Sequence, residues 1–199
     1  MKKFELTAES KINIFGKKLF RIKALISFGD VEEGETGGWI EKEENLEQSS
    51  GNAWVYGDAE VSGNAWVYGN ARVSGDAWVY GDAEVSGNAR VYGNARVSGD
   101  ARVSGNAEVY GNARVYGDAE VSGNADYTTI HGFGTQFRTT TFFQCEDKQI
   151  RVSCGCFLGT IPEFREQVKN TREGKIAEEY LMIADLMEKH FVKEKESGE

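Results

Sequence analysis

The sequence is poor in the residues that most often carry chemistry or anchor a secreted fold. Its three cysteines, Cys145, Cys154 and Cys156, fall in one short segment. An odd number of cysteines in one place does not build the disulfide framework of a small secreted protein, so we expect free, buried thiols. The sequence contains neither a Gly-Lys-Ser/Thr phosphate loop nor a nucleophile elbow.

Basic residues and long apolar runs are also scarce. The chain has 23 Lys and Arg against 32 Asp and Glu, a net charge of −9, and sequence-independent nucleic-acid binding draws its energy from clustered Lys and Arg. No stretch approaches the roughly 20 apolar residues of a spanning helix, and the first residues lack the apolar run of a signal peptide. We expect a cytoplasmic protein that binds proteins or small ligands, without non-specific nucleic-acid binding or membrane association.

The middle of the chain is an internal repeat. From Gly51, twelve uninterrupted hexads of the form Gly-[Asn/Asp]-Ala-x-Val-[Tyr/Ser] run to Ser122, and a thirteenth begins at Gly123 and decays. Ala and Val are two residues apart, so in a strand they point to one side while the residue between them points to the other. Gly and Asn/Asp tolerate left-handed backbone angles, which predicts a corner every six residues. Three strands and three corners make one triangular coil, so the hexads predict four coils, about 19 Å in total length.

This pattern resembles the hexapeptide-repeat left-handed β-helix superfamily, in which a small residue follows an aliphatic residue by four positions, as Ala59 follows Val55. The resemblance covers 51–124 and implies a left-handed parallel β-helix. The superfamily contains acyltransferases, non-catalytic members and scaffolds, so the fold alone assigns no function. A second resemblance, to β-helix proteins often carried by phages and prophages, comes from the segments 19–25, 28–31, 37–40 and 45–46.

The predicted fold class is mainly β, with an N-terminal cap over 1–50, the β-helix over 51–124 and an α+β cap over 125–199. Caps are expected because an open β-helix exposes unpaired backbone groups at both ends. On the N-terminal side, 11–15 and 19–25 predict a hairpin, and the loop 29–38 delivers Trp39 and Ile40 to the first coil.

The C-terminal cap is predicted to combine strands and helices. Segments 127–130, 136–143 and 149–154 predict strands, and Thr160 to Glu163 has the form of a capping box that opens a helix. A second helix carries an apolar stripe that packs on the sheet or makes an oligomer contact. The stripe consists of Ile176, Tyr180, Ile183, Met187 and Phe191.

The outward residues form columns, because positions 18 apart stack on successive coils. Face one carries Trp54, Arg72, Arg90 and Glu108; face two carries Glu60, Trp78, Arg96 and Arg114; face three carries Trp66, Glu84, Arg102 and Glu120. Each column is flanked by a second one of Tyr and Ser.

These columns are candidate binding surfaces, because Trp, Tyr and Arg are enriched at interaction hot spots. Arginine forms bidentate hydrogen bonds with phosphate or carboxylate, and aromatic rings interact with cations and stack. Face one is the favoured surface. Two alternatives remain open: the N-terminal cap covers some of the tryptophans, or the arginines form a solvated surface, since repeats 51–122 hold five Arg against nine Asp and Glu. The candidate binding residues are Trp54, Tyr56, Arg72, Trp78, Arg90, Tyr92, Arg96, Tyr110 and Arg114.

Catalytic candidates are few. Acyltransferases of the superfamily use a histidine in or beside the coils as a general base, and this repeat has none. His131 lies just past the coils but lacks the long inserted loops of such sites, and His190 is expected to be structural. His131 with the three cysteines lacks the paired short spacings of a zinc site. No catalytic residue, cofactor or metal is predicted.

The sequence thus favours a non-enzymatic binding protein that forms a homo-oligomer, with a trimer favoured. Its partner would be a host protein or a small anionic ligand such as a nucleotide. If the chain is phage-encoded, it would act in the host cytoplasm as an accessory factor that inhibits host defence. A hexapeptide-repeat acyltransferase and a structural scaffold are the alternatives.

Overall fold

The computed structural model describes residues 2–191, which form a β-helix closed at each end by antiparallel strands. The N-terminal elements are β1 (Phe4–Ile12), β2 (Lys18–Ala24), β3 (Thr36–Ile40) and a short 3-10 helix (Glu43–Asn45). The strands of the repeat are β4 (Trp54–Val55), β5 (Glu60–Val61), β6 (Trp66–Val67), β7 (Arg72–Val73), β8 (Trp78–Val79), β9 (Glu84–Val85), β10 (Arg90–Val91), β11 (Arg96–Val97), β12 (Arg102–Val103), β13 (Glu108–Val109), β14 (Arg114–Val115) and β15 (Glu120–Val121). The C-terminal elements are β16 (Tyr127–Phe133), β17 (Arg138–Gln144), β18 (Ile150–Cys154), β19 (Phe157–Thr160), α1 (Ile161–Thr171) and α2 (Gly174–His190).

The twelve short strands form three parallel sheets, one for each predicted face. Face one is β4, β7, β10 and β13, and face three is β6, β9, β12 and β15. Face two contains β5, β8, β11 and β14 and continues through β3 into the N-terminal hairpin. Val91 pairs with Val73 on one side and Val109 on the other, so equivalent positions align every 18 residues. This register confirms the predicted β-helix and its columns.

The interior contains stacked Ala and Val side chains and little else. Every hexad Ala and Val from Ala53 to Val121 is at most 1% exposed. Each inward pair is too small to form a core alone, so burial depends on the coils above and below. The backbone ladders run between coils, as where Trp54 N donates to the Ala71 carbonyl at 3.1 Å.

The geometry of the corners explains why each hexad begins with Gly followed by Asn or Asp. Gly99 has φ +73°, and a Cβ there would lie 2.8 Å from the backbone nitrogen of Gly117, so the corner accepts neither a side chain nor an ordinary backbone angle. The next residue stacks through its side chain. Along one corner Asn52, Asn70, Asn88 and Asn106 form an amide ladder with N···O distances of 3.1 to 3.2 Å.

The coil architecture begins before the first regular hexad. Strand β3 pairs in parallel with β5 through Trp39 and Glu60, and Leu46 forms a parallel bridge with Val67. This irregular coil adds to the four regular ones, giving about five turns. The predicted hairpin is present, but the bounds of its first strand were wrong: β1 spans Phe4–Ile12, and residues 13–15, predicted as strand, lie in the turn before β2.

The C-terminal cap closes the last coil. Its sheet has the antiparallel order β16-β17-β18-β19, and Phe143 and Cys145 join the core of the β-helix. Asp126 accepts hydrogen bonds from the backbone nitrogens of Ser122 and Gly123, each at 2.9 Å. Strand β19 was not predicted, because its residues Phe157 to Thr160 show no alternation of polar and apolar side chains.

The two C-terminal helices pack on this sheet. The capping box is confirmed, since Glu163 N donates to Thr160 Oγ1 and Thr160 N donates to Glu163 Oε2 at 2.7 Å. The backbone N–H and the hydroxyl of Thr160 both donate to the Glu163 carboxylate and lower its pKa. Tyr180, Ile183 and Met187 are buried in a second core, which confirms the sheet-packing interpretation of the stripe. None of the helices within residues 2–191 combines the length and the hydropathy of a membrane-spanning segment.

Candidate functional site

A cleft of about 760 Å³ lies between face two of the β-helix and the C-terminal sheet. We call it the arginine cleft. It is lined by Asn94, Arg96, Asn112, Arg114, His131, Phe137, Arg138, Thr139, Gly155 and Cys156. Cavities of this size accommodate small molecules.

Two of its arginines come from the repeat. Arg96 and Arg114 stand at the variable position of strands β11 and β14 and are direct partners in the parallel register. Because Val97 and Val115 fill the interior, alternation along the strand sends both arginine side chains outward. Neighbouring strands lie about 4.8 Å apart, so two positive charges share one short stretch of surface.

Aromatic packing holds Arg96 in place. Its guanidinium lies 4.2 Å from the centre of the Trp78 ring, a cation–π contact. Phe15, at the tip of the N-terminal hairpin, also packs here: its ring centre is 5.8 Å from that of Trp78 and 4.9 Å from that of Tyr80. Trp78 therefore orients Arg96, and part of its own ring remains exposed on face two.

The turn between β18 and β19 forms the opposite wall. Arg114 Nη1 donates to the Gly155 carbonyl at 3.2 Å, and Arg114 N donates to Thr141 Oγ1 at 3.0 Å. Gly155 has φ +65°, and a Cβ there would meet the guanidinium of Arg138 at 2.3 Å. The absence of a side chain at this position thus lets Arg138 approach the turn.

The cleft is electropositive although the protein is acidic. Within residues 2–191, no carboxylate oxygen lies within 4.0 Å of a guanidinium nitrogen of Arg96, Arg114 or Arg138. Arginines elsewhere do find partners: Arg165, for example, contacts Asp185 at 2.7 Å and Glu188 at 2.6 Å. Adjacent like charges repel when nothing neutralises them, so the cleft favours an anion.

His131 and Cys156 add two reactive side chains to the cleft. His131 Nδ1 lies 3.2 Å from Thr139 Oγ1, and both His131 and Cys156 are exposed. The expectation of buried cysteines was correct for Cys145 and wrong for Cys156, which lies at the tip of the unpredicted turn. In the described part of the chain, no group of three or more His, Cys, Asp or Glu side chains could hold a metal ion.

A second cavity, of about 390 Å³, adjoins the cleft inside the C-terminal cap. We call it the cap pocket. It lies between the sheet and the two helices and shares Arg138 and Cys156 with the arginine cleft. Its other lining residues are Gly134, Thr135, Gln136, Cys154, Phe157, Phe164, Gln167, Val168, Thr171, Arg172 and Tyr180.

Face one carries two further grooves. The first, about 440 Å³, is lined by Tyr56, Arg72, Ser74, Arg90 and Tyr92. The arginines here are paired, Arg72 with Asp30 and Arg90 with Glu108, the latter at 3.6 Å. They therefore offer less unneutralised charge to an anion than the arginines of face two.

The second groove, about 500 Å³, adjoins the first at Tyr92 and continues toward the C-terminal cap. Tyr92 and Tyr110 stack on each other, with ring centres 5.3 Å apart and planes 12° apart, and Tyr92 Oη donates to Glu108 Oε2 at 3.2 Å. Burial raises the pKa of Tyr92, and the Glu108 carboxylate adds to this effect.

One candidate binding residue is not accessible. Trp54 is 0% exposed, because the N-terminal cap folds over face one and places Phe4 and Phe28 against its ring at 6.1 and 5.4 Å. Trp54 is therefore a core residue of the cap. This agrees with the alternative that the N-terminal cap covers some of the tryptophans. Tyr56 packs beside this core and is half-buried.

The cleft also contains residues that the repeat pattern did not identify. Phe137, Arg138, Thr139, Gly155 and Cys156 come from outside the hexads, where no register links them to a face. Arg138 follows the positive-φ residue Phe137, but nothing in the sequence places this loop beside Arg96 and Arg114. Only the docking of the C-terminal sheet on the last coil brings them together.

Comparison with known families supports the repeat assignment. The chain matches the family model of the YdcK beta solenoid repeat over residues 65–81, 83–99, 95–111 and 107–123. These segments lie within the predicted hexads and exclude both caps. A comparison with curated proteins finds no match to this chain. Together with the parallel register, the family match identifies a β-helix repeat protein.

Proposed function

We propose that this chain is a non-enzymatic binding protein that captures a small anionic ligand, such as a nucleotide, in the arginine cleft. The observation that supports this proposal is that three arginines line one cavity and have no carboxylate partner within the described residues: Arg96, Arg114 and Arg138. Guanidinium groups bind phosphate and carboxylate in a bidentate manner, and desolvation in a cleft strengthens such contacts.

The biological setting is part of the same proposal. The resemblance to phage-borne β-helix proteins suggests an accessory factor that acts in the host cytoplasm. Such a factor would sequester a signalling nucleotide or engage a host protein and so inhibit a host defence. The resemblance of the repeat to the hexapeptide-repeat superfamily favours a homo-oligomer, most simply a trimer. Native mass spectrometry of protein produced in bacterial cells reports the subunit number and any retained ligand together.

The test of the binding proposal is calorimetric titration with inorganic tripolyphosphate and with nucleoside triphosphates. Arg96→Ala and Arg114→Ala should each weaken binding about tenfold or more, since a hydrogen bond to a charged group contributes roughly 1.5–3 kcal/mol. Arg102→Ala is the matched control, because Arg102 is exposed at the same hexad position on face three. The proposal fails if no phosphate compound binds and none is retained, or if the control loses as much affinity.

Acyl transfer is the second candidate, and the position of His131 favours it. This histidine lines the arginine cleft, where it could act as a general base toward a hydroxyl or amine. An acyltransferase would consume acetyl coenzyme A in the presence of an acceptor and lose that activity in His131→Ala. A binding protein would retain its affinity for tripolyphosphate within a few fold in the same variant and show no turnover.

A further inference from the structure

The arginine cleft and the cap pocket share a wall but differ in chemistry. The cleft presents three guanidinium groups, His131 and two asparagine side chains. The cap pocket presents aromatic rings along its inner wall: Phe164 lies 5.5 Å from Phe157 and 5.8 Å from Tyr180, centre to centre. A ligand that fills both must therefore carry an anionic end and a flat or apolar end.

Polar groups surround the aromatic wall of the cap pocket. Its lining includes the amides of Gln136 and Gln167 and the hydroxyls of Thr135 and Thr171. Amides and hydroxyls both donate and accept hydrogen bonds. Such groups can pair with the edge of a heterocyclic base, whereas a hydrocarbon chain offers them no hydrogen bond. The Thr171 hydroxyl already donates to the Gln167 carbonyl at 2.6 Å, so toward a base it acts as an acceptor.

We propose that the two cavities form one nucleotide site, with the phosphates in the arginine cleft and the base in the cap pocket. The proposal rests on the proposed function and names the ligand's chemistry. Arg138 stands at the junction, where its guanidinium packs against the Gly155 turn and faces both cavities. In this arrangement it contacts the phosphate nearest the sugar, while Arg96 and Arg114 hold the distal phosphates.

The first measurement compares ligands that share the triphosphate and differ in the base. Calorimetric titrations without divalent cations use ATP, GTP, CTP, UTP and inorganic tripolyphosphate. Inorganic tripolyphosphate carries at least as much charge as the nucleotides, so charge alone predicts that it binds as tightly as they do. A base seated among aromatic rings should instead make at least one nucleotide bind about tenfold more tightly.

The second measurement fills the cap pocket. Gln167 is exposed on α1 and lines the pocket, so Gln167→Trp should obstruct the base without disturbing the core. This variant should bring nucleotide affinity down to that of tripolyphosphate and leave tripolyphosphate binding unchanged. Asn170→Trp is the matched control, because Asn170 is exposed on the same helix and outside the pocket lining; it should retain the nucleotide preference.

Cys156 offers a local reporter at the junction. Its thiol is exposed and lines both cavities, so a saturating nucleotide should slow its alkylation by iodoacetamide at least fivefold. Tripolyphosphate should slow it less, since it leaves the cap pocket open.

The outcomes separate the two proposals. If tripolyphosphate and all four nucleotides bind equally, and Gln167→Trp changes neither, the anion site stands and the base pocket is wrong. If a nucleotide binds more tightly but Gln167→Trp leaves that preference intact, the base lies elsewhere and the inference is again wrong. If nothing binds, the proposed function fails together with the inference.

Discussion

At the scale of single residues, the three cysteines occupy three different environments. Cys145 is buried against the last coil, where burial and a hydrogen bond with Asp118 raise the pKa of its thiol to about 12. Cys154 is half-buried, and its sulfur accepts a hydrogen bond from Thr140 Oγ1 at 3.2 Å. Cys156 is exposed on the turn beside the arginines. The thiolate is the reactive form of cysteine, so these environments predict an order of reactivity.

We expect iodoacetamide at pH 8 to alkylate Cys156 first, Cys154 more slowly and Cys145 only when the protein unfolds. At pH 8 a thiol with a pKa near 12 is almost entirely protonated, and burial also excludes the reagent. Peptide mass spectrometry over time gives the three rates. Cys156→Ser should remove the fast phase alone, and equal rates at Cys145 and Cys156 in the folded chain would contradict the assignment.

At the scale of an element, the corners of the β-helix make two separate demands on glycine. One demand is a backbone angle: Gly99 has φ +73° and Gly111 has φ +65°. The other is space: a Cβ at Gly99 would lie 2.8 Å from Gly117 N, whereas nothing lies within 4 Å of one at Gly111. Gly99 lies against Gly117 of the next coil, whereas Gly111 is the last glycine of its column.

Gly99→Ala and Gly111→Ala therefore form a matched pair. Both should lose stability through the left-handed angle, which costs an alanine about 1–2 kcal/mol, and both gain the same small amount from a less flexible unfolded chain. Gly99→Ala should lose a further ~1–3 kcal/mol, typical of forcing an atom into a packed region. Chemical denaturation measures the free energy of unfolding. Equal losses in the two variants would show that the close stacking is not a constraint.

At the scale of the whole molecule, both caps convert an open stack of coils into a closed unit. A β-helix without caps presents unpaired backbone groups that can pair with another copy. At the C-terminal end the last coil is closed by Asp126, by the Ala119–Cys145 bridge and by the Tyr127 hydroxyl, which donates to the Glu108 carbonyl. At the other end, β3 pairs with β5 on one edge and with β2 on the other, and Leu46 forms a bridge with Val67.

Removal of residues 125–199 should expose the last coil and cause growth into larger species as concentration rises. The full chain should keep one size over the same range, whatever its subunit number. Light scattering coupled to gel filtration measures the mass of each. A truncated chain that keeps the mass expected for a fixed oligomer at every concentration would show that the C-terminal cap is not needed to block edge pairing.

The sequence predicted the regular part of the fold and little of the candidate site. Ala95 and Val97 belong to the repeated hexad, whose small residues two apart face the interior of a coil. Their burial and the outward direction of Arg96 could therefore be predicted from the sequence. Trp54 occupies the same kind of position as Arg96 and points out of the coil, yet it is buried, because residues 4 and 28 fold over it. The repeat pattern contains no information about which outward positions the caps will cover.

What the sequence by itself determined was the period. A corner every six residues and small side chains two apart specify a coil, because these are local requirements of backbone angle and interior volume. What only the tertiary structure decided was which surfaces meet. The arginine cleft needs Arg96 and Arg114 from two successive coils and Arg138 from a strand beyond them, and their proximity follows from how the C-terminal sheet docks on the last coil. Docking depends on contacts between residues distant in sequence, for which no local periodicity exists.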